Sequence, residues 1–586
     1  MLRRSALVFL IVLASSRPLL ARDLDAAWIS RLPRLDYVES PSDPRRDGWP
    51  LPGQIVTWRA HVRNWDGEAV HGVAYEWLLD GEVISRGTFD AAADSFAVVD
   101  LAWPWQFVRQ KLTFIIDPSG GVDESEKKNN RLDVDTDALS VGFYVERTMY
   151  LYFRTYQREV QGGGSNSFED WAQRQIAEIN DLYARAITLE TPIGVLDRWR
   201  IDEIVVVPDG TLPNEIAPNV DDRSVDMMWG FPSNLLSRYQ RLSSGRFDPR
   251  FRIDGVLLHE MNHIRGLVDV YLIQVLHDGK SKVVGIREGT DVVAGSALMP
   301  AQGFLLYDTF EQGLMKMQYT FVDRYSAGAL NRVAGYRARG IQGNVMGNEA
   351  RGEFVDGCMP RRHRIRLVNP SGAALAGADV RLYRAEGGQP AQGVPPLWTT
   401  NYRAEPDIRL TADREGEVLI DDNPFRKPGD SFETGGTRYI TGVAILRVGH
   451  QGHVSYLFFD MTAANRACFR GMKDEARYEL VVGGNPCSRP PQLLRPEAGA
   501  FVSGSEVSLS WTKSPGAAGY LVFARVDGTP ARVVATTSEL ETRVALTGQS
   551  VEWWVVAEFD QCVRNASKPA HFTLEPPPVR RRPVRP

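Results

Sequence analysis

His259-Glu260-Met261-Asn262-His263-Ile264-Arg265-Gly266-Leu267-Val268-Asp269 puts two histidines four residues apart, with a glutamate directly after the first. On a helix, positions i and i+4 share a face, so the two imidazoles can bind one metal ion. Glu260 lies about 100° round the helix from His259, which suits it to a water on that metal rather than to the metal itself. The surrounding residues support a helix: Ile253, Leu257, Met261 and Ile264 form an apolar stripe, and Asp254 can cap the start. Gly266 permits a left-handed turn that stops the helix and sends the chain back. Asp269 would then supply a third, oxygen ligand, leaving a fourth position open.

Written as H-E-x-x-H-x-x-G-x-x-D, the run resembles the metzincin-type zinc peptidases, in the branch that uses Asp as third ligand. Gly266-Leu267-Val268-Asp269-Val270-Tyr271 is similar to the G-L-x-D-x-Y of immune-inhibitor-A-like secreted bacterial enzymes, and the snapalysin group shares the Asp. The resemblance spans about Phe168 to Gly340, although Asn262 and Arg265 depart from the small or apolar residues usual there. It implies one catalytic Zn2+ held by His259, His263 and Asp269, with Glu260 as general base for peptide hydrolysis. It also implies a methionine turn beneath the metal. Met315, in Gly313-Leu314-Met315, is preferred because a helical segment from Ser326 to Gly340 follows, with Ala329, Leu330, Val333 and Tyr336 at suitable spacing. Met299 and Met346 are the alternatives. Tyr319 could stabilise a tetrahedral intermediate or simply pack.

In a gluzincin arrangement the third ligand would be Glu288, but Gly285 and Gly289 flank it and disfavour the helix this needs. His277 could be an additional ligand. The expected activity is zinc-dependent hydrolysis of extracellular proteins or peptides. The alternative is a non-catalytic surface-binding or adhesion protein with a structural or degenerate zinc site, and an intact Glu260 argues against it.

Outward from this run, 586 residues imply several domains. A hydrophobic share of 43%, a charged share of 24% and a net charge of −5 fit globular protein and give no reason to expect nucleic-acid binding. Arg3 and Arg4 followed by the short apolar run Ala6–Ala14 read as a signal peptide, cleaved after Ser16 or Ala21, and no later stretch reads as a transmembrane helix. Secretion, extracellular or periplasmic, is the expectation. Four cysteines agree with an oxidising compartment: Cys358, Cys468, Cys487 and Cys562 allow three pairings, of which Cys358–Cys468 and Cys487–Cys562 would each staple one module. No cysteine precedes His259, which excludes a cysteine switch. Asp221, Asp222 and Asp226 would suit Ca2+, although acidic loops are commonly just solvated.

Val56, Trp58, Ala60 and Val62 alternate with polar residues, Val73, Tyr75, Trp77 and Leu79 repeat the pattern, and Asp80-Gly81 supplies a hairpin turn. Glu124-Ser125-Glu126-Lys127-Lys128-Asn129-Asn130 resembles the E-x-E-x-x-N-N turn of CARDB-type adhesion modules. Gly372, Leu375, Gly377-Ala378 and Val380, with Asp413 and Gly416, resemble carboxypeptidase-regulatory sandwiches, and Pro490 to about Leu574 resembles fibronectin type III. Such modules could contact a cell surface or polysaccharide. The expected order is a signal peptide (1–22), a CARDB/immunoglobulin-like sandwich (23–142), a catalytic domain (143–345), a carboxypeptidase-regulatory-like sandwich (358–484), a fibronectin type III-like domain (488–575) and a Pro/Arg-rich tail (576–586). The fold class expected is thus multidomain, with a central α/β, metzincin-like zincin domain flanked by all-β immunoglobulin-like sandwiches.

Overall fold

The computed structural model describes residues 23–34 and 49–575, except 107, 125, 161–166, 189, 192, 214–223, 237–252, 269, 271–272, 278–280, 288–292, 296–303, 306–312, 316–321, 336–344, 347–348, 352–358, 388–397, 403–404, 426–431, 435–436, 441, 470, 473, 483–490, 505, 515–516, 528–531, 559–564 and 568. The chain divides into two compact units, one from residues up to Leu32 with Ile55–Thr136, the other from Pro33–Gln54 with Asp137–Pro586. The architecture is mostly β.

In the first unit the period-two pattern becomes a sandwich. Leu24–Leu32, Ile55–Asn64 and Phe96–Pro104 form one antiparallel sheet; Glu82–Ala91, Val70–Leu79, Lys111–Ile116 and Arg131–Asp135 form the other. Val56, Trp58, Ala60 and Val62 are buried while Thr57, Arg59 and His61 are half-exposed, so the alternation marks the inner face. Trp77 packs on Phe114 with ring centroids 4.8 Å apart. Asp80 and Gly81 take φ of 50° and 90°, the left-handed pair that a tight hairpin requires. Glu124 accepts hydrogen bonds from Leu24 N (2.9 Å) and Asn130 Nδ2 (2.8 Å), tying the 124–130 turn to the first strand.

The second unit begins with a parallel sheet in the order Met227–Phe231, Leu139–Glu146, Trp199–Val207. The central strand is buried along its whole length, as a strand covered on both faces must be. The outer strand runs from Trp199 to Val207. Helices α1 (Arg147–Val160), α2 (Phe168–Arg185) and α3 (Gly255–Ile264) accompany this sheet. Ser167 Oγ accepts from Asp170 N (3.0 Å) and caps α2. Phe168 then lies 5.0 Å from Phe231, which seats α2 on the sheet.

After α3 the chain joins a second sheet. Ile273–His277 forms a hairpin with Ser281–Arg287 and pairs in parallel with Trp398–Tyr402. The sheet continues through Asp379–Gly387, Val443–His450 and His453–Asp460, and so crosses the boundary near residue 345 that the sequence suggests. Helix α4 (Arg324–Val333) starts two residues before Ser326 because Asp323 caps it. It ends at Val333, short of Gly340, because Gly335 takes φ 72°. Helix α5 (Thr462–Phe469) follows the last strand of the large sheet. Cys468 on α5 is disulfide-bonded; Cys358, Cys487 and Cys562 lie outside the described residues. No helix among the described residues is long and apolar enough to cross a membrane.

The last module is a two-sheet sandwich over Val507, Leu509, Trp511, Tyr520, Val522 and Trp553. It docks on α2 through buried charge. Arg185 donates to Glu552 (2.9 Å) and its guanidinium stands 4.7 Å from the Trp554 ring centre. Arg525 reaches Glu178 (3.0 Å) and Asp181. Burial raises the Glu552 carboxyl, but the hydrogen bond to His571 and the charges of Arg185 and Arg525 outweigh it and push it down to about 2 from 4.5. A depressed folded-state pKa gives stability that is present above the unfolded value and lost as pH falls through the folded one. Thermal stability should therefore drop as pH falls from about 4.5 toward about 2, and Glu552→Gln should flatten that drop. Identical pH profiles for wild type and variant would refute the assignment.

Candidate metal centre

Helix α3 is set by its cap and its stripe. Asp254 accepts from Val256 N and Leu257 N (3.1 and 3.3 Å), and Leu257 and Met261 are fully buried. That orientation fixes where the polar residues point. One ligand atom from each of His259, Glu260 and His263 falls within 4.8 Å of the other two. The two rings stand at 85° with centroids 4.9 Å apart, and Glu260 Oε2 is 4.0 Å from His263 Nε2. Both histidines are buried, whereas the Glu260 side chain is 26% exposed.

Each imidazole is also held from behind. His259 Nδ1 is 2.7 Å from Leu314 O, and His263 Nδ1 is 2.8 Å from Leu267 O. A carbonyl can only accept, so in the neutral imidazole Nδ1 carries the proton and Nε2 presents its lone pair. Metal-binding histidines are oriented in this way. Two fixed Nε2 donors beside a carboxylate suit a zinc ion. Asp269, the expected third ligand, and Tyr319 lie outside the described residues.

The two carbonyls sit on turns that glycine makes possible. Gly266 takes φ 88°, and a Cβ there would fall 2.9 Å from Asn465 Nδ2 on α5. Gly313 takes φ 139°, and a Cβ there would strike the Asp323 carboxylate. Asp323 Oδ2 accepts from Leu314 N (3.0 Å), so the residue that caps α4 also aims the carbonyl behind His259. Met315 is fully buried beside this contact, and its carbonyl accepts from Val270 N (2.9 Å). The turn containing Met315 therefore reaches the histidine pair. Met299, Glu288 and the side chains of Met346 and His277 lie outside the described residues.

The two departures from the expected pattern anchor the helix. Asn262 accepts from Tyr183 OH on α2 (2.6 Å) and donates to Leu258 O (2.6 Å). Burial pushes the Tyr183 phenol far up, which keeps it a neutral donor. Arg265, also buried, donates to Asp197 (2.6 Å) and to Val333 O (2.8 Å). Asp197 in turn accepts from Gly335 N (3.0 Å). Sequence reading missed Asp197, Tyr183 and Asp323, and the polar outliers Asn262 and Arg265 were the only signal of such partners. Of the residues considered for Ca2+, Asp221 and Asp222 lie outside the described residues, while Asp226 accepts from Ser140 N and Oγ (2.7 and 2.9 Å) and joins two strands.

No protein-family model matches this chain, and no curated protein matches it. Solved structures similar to parts of it are CARDB and fibronectin type III-like domains. The CARDB domain of a Pyrococcus furiosus protein, determined in complex with di-metal ions, is 17% identical over 20% of this chain and 86% of its own, with TM-score 0.15. A Fn3-like protein from Clostridium thermocellum is 22% identical over 15% of this chain and 92% of its own, with TM-score 0.12. The fibronectin type III domain of human fibronectin type III domain containing protein 3 is 19% identical over 15% of this chain and 85% of its own, with TM-score 0.12.

The Arg265–Asp197 pair gives a direct test of the anchoring. Asp197→Ala leaves a buried guanidinium without its carboxylate and should cost about 3–5 kcal/mol in chemical denaturation. A loss below about 1 kcal/mol, the scale of an exposed pair, would show that the contact does not hold the helix.

Proposed function

We propose that this chain is an exported zinc-dependent endopeptidase acting on extracellular proteins, with a central zincin-type catalytic domain between β-sandwich modules. The observation that carries the reading is the pair of histidines on α3, each with Nδ1 on a backbone carbonyl, beside a partly exposed Glu260. A structural zinc site has no need of a general base. His259 and His263 would hold the ion, with Asp269 as the third ligand. Bound zinc supplies Lewis acidity and brings the pKa of water down to about 7. Glu260 takes the proton from the attacking water and later delivers it to the leaving amine. The Leu314 and Leu267 carbonyls keep the two imidazoles in one tautomer and one orientation throughout.

The test is degradation of an unfolded protein by the mature chain and by Glu260→Ala, with zinc supplied to both. Loss of a positioned general base should lower kcat/KM by about 10²–10⁴-fold without removing the zinc. Equal cleavage by both proteins would rule out Glu260 as the base. Zinc binding without cleavage by either would instead favour a non-catalytic surface-binding protein.

A further inference from the structure

Helix α5 belongs to the β module that follows in sequence, yet it lies against the turn that presents His263. Asn465 is 1% exposed, and its side-chain amide sits over Gly266, where a Cβ would be 2.9 Å from Nδ2. Neither Oδ1 nor Nδ2 of Asn465 finds a hydrogen-bond partner among the described residues. Removing an amide from water without a partner is unfavourable, and an apolar residue of the same size would avoid that cost. Packing alone therefore does not account for asparagine at this position.

The helix is held firmly where it touches the turn. Thr462 N donates to Asp460 Oδ1 (2.8 Å), and Asp460 also takes the guanidinium of Arg332 on α4. Arg466 on α5 returns the contact by donating to Arg332 O (2.6 Å). Arg332 further reaches Glu190 (3.3 Å), which Arg324 shares (3.3 Å). Tyr325 on α4 stacks edge-on against Phe458, with centroids 5.4 Å apart. Helices α4 and α5 thus form a buried, cross-braced pair. From this pair Asn465 faces Gly266, the next residue supplies the carbonyl that holds His263 Nδ1, and Val268 packs beside Gly442 of the same module.

Resting on the zinc-site reading above, we infer that Asn465 is a positioning residue of the metal centre, contributed by the neighbouring β module, and acts on His263 through the Gly266–Leu267 turn. Its amide supplies polar contact to that turn when the ion is bound. The module is then part of the metal-binding apparatus rather than a spacer.

The experiment measures zinc affinity of the full mature chain by chelator competition, together with thermal melting of the metal-free protein, for wild type, Asn465→Leu and Asn465→Ala. Loss of an outer-shell contact should weaken zinc binding by about 10–100-fold. Asn465→Leu should leave metal-free melting unchanged or raise it, since it removes an unpartnered amide. A merely structural asparagine would give the reverse: zinc affinity equal to wild type and a change in melting alone, which overturns the inference. Asn465→Ala keeps the test decisive if leucine does not fit. A wild-type chain that binds zinc no better than His263→Ala would sink the metal-centre reading itself and this inference with it. Zinc weakened by Asn465→Leu in a chain that cleaves nothing would keep the inference and remove the peptidase.

Discussion

Two backbone carbonyls hold the site together. A pair of histidines at i and i+4 guarantees a shared face but not a shared target, because each imidazole can rotate and exchange tautomers. Leu314 O and Leu267 O remove that freedom by taking the Nδ1 protons at 2.7 and 2.8 Å. Both carbonyls lie in turns beside a glycine with positive φ, and both glycines face a polar side chain from another element, Asp323 at Gly313 and Asn465 at Gly266. The geometry of the histidine pair is thus set by α4 and α5 as much as by α3.

What the sequence made legible was local. The cap at Asp254, the apolar stripe of α3, the hairpin at Asp80-Gly81 and the inward face of Ile55–Asn64 depend on residues within a few positions of one another. Periodicity and capping report such relations directly. The histidine pair was legible for the same reason. The partners of Asn262 and Arg265 were not, because Tyr183 and Asp197 are 79 and 68 residues distant and a single sequence has no record of pairing across such a gap. The end of α4 was misread because Ala329, Leu330, Val333 and Tyr336 continue the apolar spacing past the stop. Gly335 turns the chain there, and its amide is claimed by Asp197.

The modular reading was likewise right about β content and incomplete about connection. Alternation identifies a strand but not its neighbours, so nothing in Ile273–His277 announces a parallel pairing with Trp398–Tyr402, more than a hundred residues on. A sheet shared in this way links the chain after α3 to the module that carries α5. The fibronectin-like module is joined differently, by Arg185 of α2 against Glu552 and by Arg525 against Glu178 and Asp181 of α2.

These two kinds of junction have different physical consequences. Apolar contact tolerates small shifts, because dispersion and hydrophobic burial have little directionality, whereas the shared sheet fixes register through its backbone hydrogen bonds. A buried ion cluster is not tolerant: its net contribution is small when complete, but a displaced partner leaves a charge without water or counter-ion. The fibronectin-like module therefore has one low-energy seat on α2, defined by charge. Since α2 also carries Tyr183, whose hydroxyl fixes Asn262 on α3, the same helix that receives this module braces the histidine helix. Support thus reaches α3 from two directions, through α2 on one side and through the α4–α5 pair on the other, and both routes pass through polar contacts that admit a single geometry.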